Sequence, residues 1–185
     1  MEKKLKYKNI TVSGLVCTGS TTLATSLAQK LGWEYRNSSQ VLRDYMKKRG
    51  LSLEQTTRSP DKLHLETDNY VKEKLKTGGN QVFEGMLASF MAQGIQGVLK
   101  VLLICSDDAL RIDRLVNRDN MSIEEAKEHI KKREEENLVK WQKLYGKHDF
   151  WDPKYYDLVI NTYSHGPTET LDVVLQALGY YNNNK

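Results

Sequence analysis

Cysteine and histidine are scarce, and their spacing is uninformative. The two cysteines of the 185 residues, Cys17 and Cys105, share no C-x-x-C spacing. Such usage fits reduced thiols in a cytosolic protein. The four histidines, His64, His129, His148 and His165, are scattered without metal-ligand spacing, so no histidine-built metal site is expected. Long apolar runs are missing too: no window approaches the ~18 uninterrupted apolar residues of a membrane span. The basic start "MEKKLKYKN" leads into a strand and a glycine loop, not into the apolar core of a signal peptide. A cytoplasmic protein that does not engage a membrane is therefore expected. An excess of one charge sign is also lacking, with 28 Lys and Arg against 24 Asp and Glu, a net charge of +4. In stretches such as "EEAKEHIKKREEE" lysines stand beside glutamates, the pattern of a solvated helix face and not of a nucleic-acid stripe. Nucleic acid is accordingly not expected as a partner. There are no internal repeats or low-complexity linkers. Residues 1–185 read as a single domain, with a frayed polar tail "YNNNK" at 181–185.

What is present is an alternation of strand-like and helix-like runs. Ile10 to Ser13 reads as a buried strand ending at Gly14. "STTLATSLAQKLG" then sets Leu23, Leu27 and Leu31 on one stripe and stops at Gly32. A brief strand "WEY" precedes "SSQVLRDYMKKRG", a helix with Val41, Leu42, Tyr45 and Met46 on one face. "TRSP" makes a break before helical periodicity resumes in "DKLHLETDNYVKEKL". "QVFE" is a strand, "MLASFMAQGIQGVL" a helix weakened by two glycines, and "KVLLIC" a continuous apolar strand of the kind covered on both faces. "DDALRIDRLVNR" is helical. Ser122 and Glu125 form a capping box that opens a long charged helix, Ile123 to Tyr145, which reads as an appendage on the core. A last strand, "DLVIN", and a last helix, "PTETLDVVLQALG", complete the pattern. Five strands interleaved with helices argue for a parallel sheet with helices on both faces.

The stretch "SGLVCTGSTT" carries the chemistry. Gly14 and Gly19 lie five apart and Thr21 follows, which matches the phosphate-cradling pattern G-x-x-x-x-G-K-[ST] except that Ser20 holds the lysine position. The loop joins a strand to a helix, at the carboxyl end of a strand where α/β sheets bind ligands. Backbone N–H groups of residues 15 to 21 and the helix N-terminus would bind phosphate oxygens, and Thr21 would offer its hydroxyl to Mg²⁺. The plainer alternative is a strand-to-helix turn needing glycine for positive φ. Glu84, at the end of "QVFE" and followed by Gly85, could hold Mg²⁺ through water; alternatively it is a turn carboxylate. Arg111, Arg114 and Arg118 recur within one helix, and Arg133 lies on the long one. Arginine forks stabilise a phosphoryl group in transfer, although i,i+4 pairing with acids is the ordinary use of such residues. Arg43 has no acid four residues before or after it, and its planar fork suits phosphate.

Together "ITVSGLVCTGSTTLATSLAQKLG", "SSQVLRDYMKKRGLSLEQ", "VFEGMLA", "MSIEEAKEHIKKREEEN" and "YDLVINT" resemble the archaeal-type cytidylate kinases, P-loop nucleoside monophosphate kinases, in order from Asn9 to Leu178. The resemblance implies an α/β P-loop kinase fold: a five-stranded parallel sheet, helices on both faces and a helical lid, placed here at 117–145. It implies transfer of the ATP γ-phosphoryl group to CMP or dCMP with Mg²⁺, by a monomer whose partners are small nucleotides. By resemblance Gly14, Leu15, Val16, Cys17, Thr18, Gly19, Ser20, Thr21 and Thr22 hold the ATP phosphates. Ser38, Ser39, Arg43 and Gly85 face the acceptor, Arg114, Arg118 and Arg133 close over the phosphates, and Asn161 and Thr162 begin the loop beside the adenine. Where the family commonly reads E-G-R, this chain has Glu84-Gly85-Met86, losing an arginine expected on the acceptor phosphate. Lys140 and Trp141 stand where the family often has arginine and tyrosine. Two other readings compete: a non-catalytic nucleotide-binding module with a degenerate acceptor site, and a P-loop kinase for a small metabolite.

Overall fold

The computed structural model describes residues 5–50 and 60–181. Five strands form one parallel sheet in the order β2-β3-β1-β4-β5: β1 (Asn9–Gly14), β2 (Glu34–Asn37), β3 (Gln81–Glu84), β4 (Val98–Ile104) and β5 (Leu158–Asn161). Seven α-helices connect them among the described residues: α1 (Ser20–Leu31), α2 (Ser38–Lys48), α3 (Asp61–Thr77), α4 (Ala88–Met91), α5 (Asp108–Asp119), α6 (Ile123–Tyr145) and α7 (Pro167–Leu178). None is long and apolar enough to cross a membrane. The break expected over 57–60 and the tail after Tyr181 lie, apart from Pro60, outside the described residues.

The central strand shows why the sheet is sandwiched. All six residues of β1 are buried, yet they alternate in chemistry. Ile10 and Val12 join Leu23 and Leu27 of α1 and Val174, Leu175 and Leu178 of α7 in the largest apolar cluster. Asn9, Thr11 and Ser13 face the other way, and each side chain is hydrogen-bonded. The Asn9 amide donates to Leu75 O at 3.0 Å, Thr11 Oγ1 to Leu99 O at 3.5 Å, and Ser13 Oγ to Gly85 O at 3.0 Å. Satisfying those groups removes the penalty of burying them. On the second face Val71 and Leu75 of α3 pack on Phe83 and Val98.

Two sequence expectations are corrected here. The helix expected over 86–99 shrinks to the four residues of α4, because Gly94 and Gly97 both adopt φ of 74° and turn the chain into β4. The long helix α6 has the expected bounds and capping box, but it is docked on the core. Ala126 and Ile130 pack with Val16 and Leu115, while Trp141 and Tyr145 pack around Phe150, Leu87 and Met91. Few apolar residues suffice because they sit at both ends of the contact.

Candidate active site

The loop from Gly14 to Thr22 leaves the carboxyl end of β1 and is held from outside by its own carbonyls. Leu15 O accepts from Thr18 Oγ1 at 3.0 Å, Val16 O from Arg111 Nε at 2.9 Å, Cys17 O from Arg114 Nη1 at 3.1 Å, and Thr18 O from Thr162 Oγ1 at 2.9 Å. With the carbonyls engaged, the N–H groups of Gly19, Ser20, Thr21 and Thr22 are the unpaired donors that open α1. The expected set of seven donors, residues 15 to 21, is narrower in the structure. Val16 N–H donates to Glu134 Oε1 at 3.1 Å and Thr18 N–H to Leu15 O at 3.3 Å, so neither faces a ligand freely. Gly14 is required by close approach, since a Cβ there would lie 2.8 Å from Leu103 O and overlap Thr18. Gly19 is required by its φ of 96°. Cys17 adopts φ of 61° without being glycine, a costly conformation of the kind found at ligand-gripping loops. Burial pushes the Cys17 thiol up, against the pull of Arg118 and Arg111.

Three connected chambers run along the carboxyl end of the sheet. The first, a cleft of about 520 Å³, is lined by residues 17 to 23 of the loop and α1, with Arg114, Arg118, Thr162, His165 and Pro167. Thr21 also lines the second, of about 380 Å³, together with Tyr35, Asn37, Arg43, Glu84 and Arg133. Ser39, Gly85, Met86 and Arg133 are shared between that chamber and the third, of about 110 Å³, which Ser38, His64, Thr67, Asp68, Asn137 and Trp141 complete. Of the residues expected around ATP, Cys17 to Thr22, Arg114, Arg118 and Thr162 line the first chamber; of those expected around the acceptor, Arg43 lines the second and Ser38 the third, with Ser39 and Gly85 in both.

Glu84 sits at its middle. Its Oε1 accepts from Ser20 Oγ at 3.1 Å and its Oε2 from Tyr35 Oη at 3.1 Å and from the Asn37 amide. The residue in the loop's lysine position thus bonds the carboxylate. No basic side chain forms an ion pair with Glu84 among the described residues, and no cluster of three metal-ligating side chains exists there. One buried carboxylate and one hydroxyl, Thr21, fit a cation that arrives with phosphates and keeps its waters, as Mg²⁺ does.

The arginines divide by what they touch. Arg114 braces the loop against β5, donating to Cys17 O, Thr162 Oγ1 and Thr162 O at 3.0–3.1 Å. Arg111, buried, bonds Asp108 and Glu134 as well as Val16 O. It clamps the loop and is not part of the three-chamber lining. Arg118 pairs with Asp119 at 2.8 Å. Arg133 is different: burial first, then repulsion from Arg118 and Arg43, pulls its pKa down. A buried guanidinium destabilised by two neighbouring cations marks a place complementary to anions.

Not every expected residue reaches the track. Asn161 holds the β4–α5 turn through Ser106 and its own loop through Tyr163 N, and the cleft is lined by its neighbour Thr162 instead. Met86 does reach the track, while also packing with Val16, Leu115 and Ile130, and Asn137 Nδ2 approaches its sulfur at 3.5 Å. Lys140 forms an ion pair with Asp61 at 2.7 Å. Tyr35, Asn37, Asp68 and Tyr145 were not foreseen. A "Y-x-N" at the end of a strand beside Glu84 was a readable signal for the first two; the others meet only through the tertiary fold.

The model of the Cytidylate kinase-like family matches residues 9–164. The chain belongs to that family. It is 34% identical over 176 residues to a cytidylate kinase of Pyrococcus horikoshii, covering 92% of this chain and 88% of that one. With a cytidylate kinase of Methanobrevibacter smithii it shares 32% identity over 172 residues, 91% of this chain and 97% of the other. Among solved structures, a shikimate kinase from Acinetobacter baumannii aligns over 97% of this chain and 96% of its own at a TM-score of 0.61 and 18% identity. A gluconokinase from Sinorhizobium meliloti aligns over 97% and 95% at 0.59 and 13%. These distant structures share the fold, that of P-loop kinases, and the family relationship makes the chain a nucleoside monophosphate kinase.

Proposed function

We propose that the protein transfers the γ-phosphoryl group of ATP to CMP or dCMP. The observation that carries this reading is the chamber lined at once by Thr21, Glu84, Arg43 and Arg133, between a donor cleft and an acceptor cavity. ATP lies in the first cleft, its phosphates on the free N–H groups of Gly19 to Thr22 and its adenine beside Thr162, with Arg114 fixing that wall. The acceptor lies against Ser38, Ser39, Arg43 and Gly85. An oxygen of its phosphate attacks the γ-phosphorus, the bond to the β–γ bridging oxygen breaks, and ADP leaves. Little covalent work is asked of the protein; alignment and charge stabilisation do most of it. Arg133 and Arg118 offset the charge spread over the transferring group. Thr21 and, through water, Glu84 would hold Mg²⁺, which supplies neutralisation of the β- and γ-oxygens. Residues 1–185 act as one domain with 117–145 as its lid, in a cytoplasmic monomer.

The arginines fit an active kinase, since a module that only retained nucleotide has no need of Arg133 and Arg43 at the transfer point. The test is ADP formation from ATP and Mg²⁺ across a panel of nucleoside monophosphates and small metabolites. CMP- and dCMP-dependent ADP is the expected result. ADP formation with none of the panel, by protein that still binds ATP, returns the non-catalytic module; formation only with a non-nucleotide acceptor returns the metabolite kinase.

A further inference from the structure

One carboxylate of α6 grips the phosphate loop without lining the track. Glu134 Oε1 accepts from the N–H of Val16 at 3.1 Å and from Arg111 Nη2. Arg111 Nε in turn donates to Val16 O at 2.9 Å. The three residues close a ring that holds both backbone polar groups of one loop residue, the N–H from α6 and the carbonyl from α5. Bonds with an ionised partner are the strong ones. Arg111 is buried and the Glu134 side chain is 23% exposed. Both line a separate cavity of about 260 Å³ between α5 and α6, and neither lines any of the three chambers. Apolar contacts reinforce the ring, with Val16 packed on Leu115, Ala126 and Ile130.

What the ring fixes lies on either side of it. Cys17, the next residue of the loop, holds a φ of 61°, a conformation that persists only where its surroundings impose it. Cys17 to Thr22 line the donor cleft. On α6 the residue before Glu134 is Arg133, turned by about 100° around the helix and lining the transfer chamber. Asn137 and Trp141 continue along the same helix into the acceptor cavity. The rotation of α6 about its own axis therefore decides where Arg133 points. Resting on the kinase reading made above, we propose that Glu134 is a positioning residue for phosphoryl transfer. Through the ring with Val16 and Arg111 it ties the rotation of α6 to the shape of the phosphate loop, so that a nucleotide seated on the loop sets Arg133 at the transfer point. The tie is reciprocal, since a coupling between two binding events acts equally in both directions.

The test is a double-mutant cycle in kcat on the full chain, with Arg133→Met and Glu134→Ala alone and together. Glu134→Ala should lower kcat by about 10²-fold, the scale of a misplacement of about 1 Å. Added to Arg133→Met it should cost no more than about twofold, because the arginine it positions is already gone. Glu134→Gln keeps an acceptor oxygen for the Val16 N–H and should recover most of the loss. Two single losses that multiply in full, as for a residue that only supports the fold, overturn the assignment, and so does an unchanged kcat in Glu134→Ala. Should Glu134→Ala lose its melting transition, Arg111→Lys, which keeps the charge but not the fork, takes its place in the cycle. Binding is read separately with ADP, which fills the loop but lacks the γ-phosphoryl group that Arg133 meets. Calorimetry should show ADP bound by the unmodified protein and by Glu134→Ala, while the indole N–H resonance of Trp141 should shift only in the former. A Trp141 shift that survives in the variant counts against the tie. A shift that depends on Glu134, in protein without turnover, would sink the kinase reading and leave this one standing. CMP-dependent turnover with multiplying losses would do the reverse.

Discussion

The donor and acceptor ends of the track are built by different means. Around the donor cleft the machinery is backbone: four successive loop carbonyls are tied down, the N–H groups of residues 19 to 22 are left open, and Gly14 and Gly19 are demanded by geometry. At the acceptor end the machinery is side chains from α2, α3 and α6, with Arg133 and Asp68 held in protonation states that burial opposes. The volumes differ accordingly, about 520 Å³ against about 110 Å³. The second is below the ~300 Å³ at which ligand pockets usually begin. The donor end is a preformed cradle, and the acceptor end draws its room from the adjoining chamber of about 380 Å³, with which it shares Ser39, Gly85, Met86 and Arg133. A cradle made of backbone tolerates loss of the lysine, since Ser20 is free to bond Glu84. Side-chain recognition tolerates little.

The sharpest way to break this comparison is at the shared wall. Arg133→Met should lower kcat by about 10³-fold, as for an arginine acting on a transferring phosphoryl group. It should leave ATP titration nearly unchanged and raise the melting temperature, because it removes a cation that burial and two arginines destabilise. A fall in stability would show that Arg133 is a structural residue.

Gly19→Val tests the donor side. A Cβ at Gly19 meets nothing within 4 Å, so crowding is not the mechanism; the cost is the positive φ, about 1–2 kcal/mol. ATP affinity should fall by roughly 5–30-fold if the loop relaxes to relieve that strain. Gly14→Ala, where Leu103 O and Thr18 block the Cβ, should be worse than Gly19→Val in both melting and ATP titration.

On the acceptor side, Met86→Arg supplies the arginine that the E-G-R pattern would put after Gly85. Met86 is only partly buried and borders both the transfer chamber and the acceptor cavity. The acceptor KM should fall about tenfold, the scale of a charge-assisted contact, with little change in the ATP KM. A lower melting temperature with no kinetic gain would mean that packing on Val16 and Ile130 outweighs the contact.

The smallest effect is in pH. Two carboxylates of α3 meet α6 in opposite ways. Asp61, paired with Lys140 and Lys143, is lowered to about 2, so it stabilises above its ordinary pKa and loses that contribution as pH falls from about 4 towards 2. Asp68 is raised to about 6, so the native state binds the extra proton between about 4 and 6. Its burial cost is fully present above pH 6 and fades as pH falls through that window. Relative to Asp68→Asn, the unmodified protein should gain melting temperature on going from pH 7.5 to 5. A parallel pair of profiles would contradict the burial of this carboxyl.

The same division explains what was legible. Gly14, Gly19 and Thr21 announce the donor loop because a single continuous segment builds it. The bounds of α6 were legible because Ser122, Glu125 and Gly146 are local signals. The extent of α4 was not, since apolar periodicity carried through Gly94 and Gly97 while their backbone conformation did not. Nor could spacing reveal that Val16 N–H belongs to Glu134, 118 residues away, or that Asp68 and Tyr145, 77 apart, would meet. Such contacts exist only after α6 docks.

The most direct test of the account is a phosphorus NMR time course on equimolar ATP and CMP with Mg²⁺ and the unmodified protein. The account predicts that CDP and ADP resonances grow together, in equal amounts, and that neither grows when Arg133→Met replaces the unmodified protein at the same concentration over the same interval. ADP appearing with inorganic phosphate and no CDP, or no change in protein shown to bind both nucleotides, would contradict it.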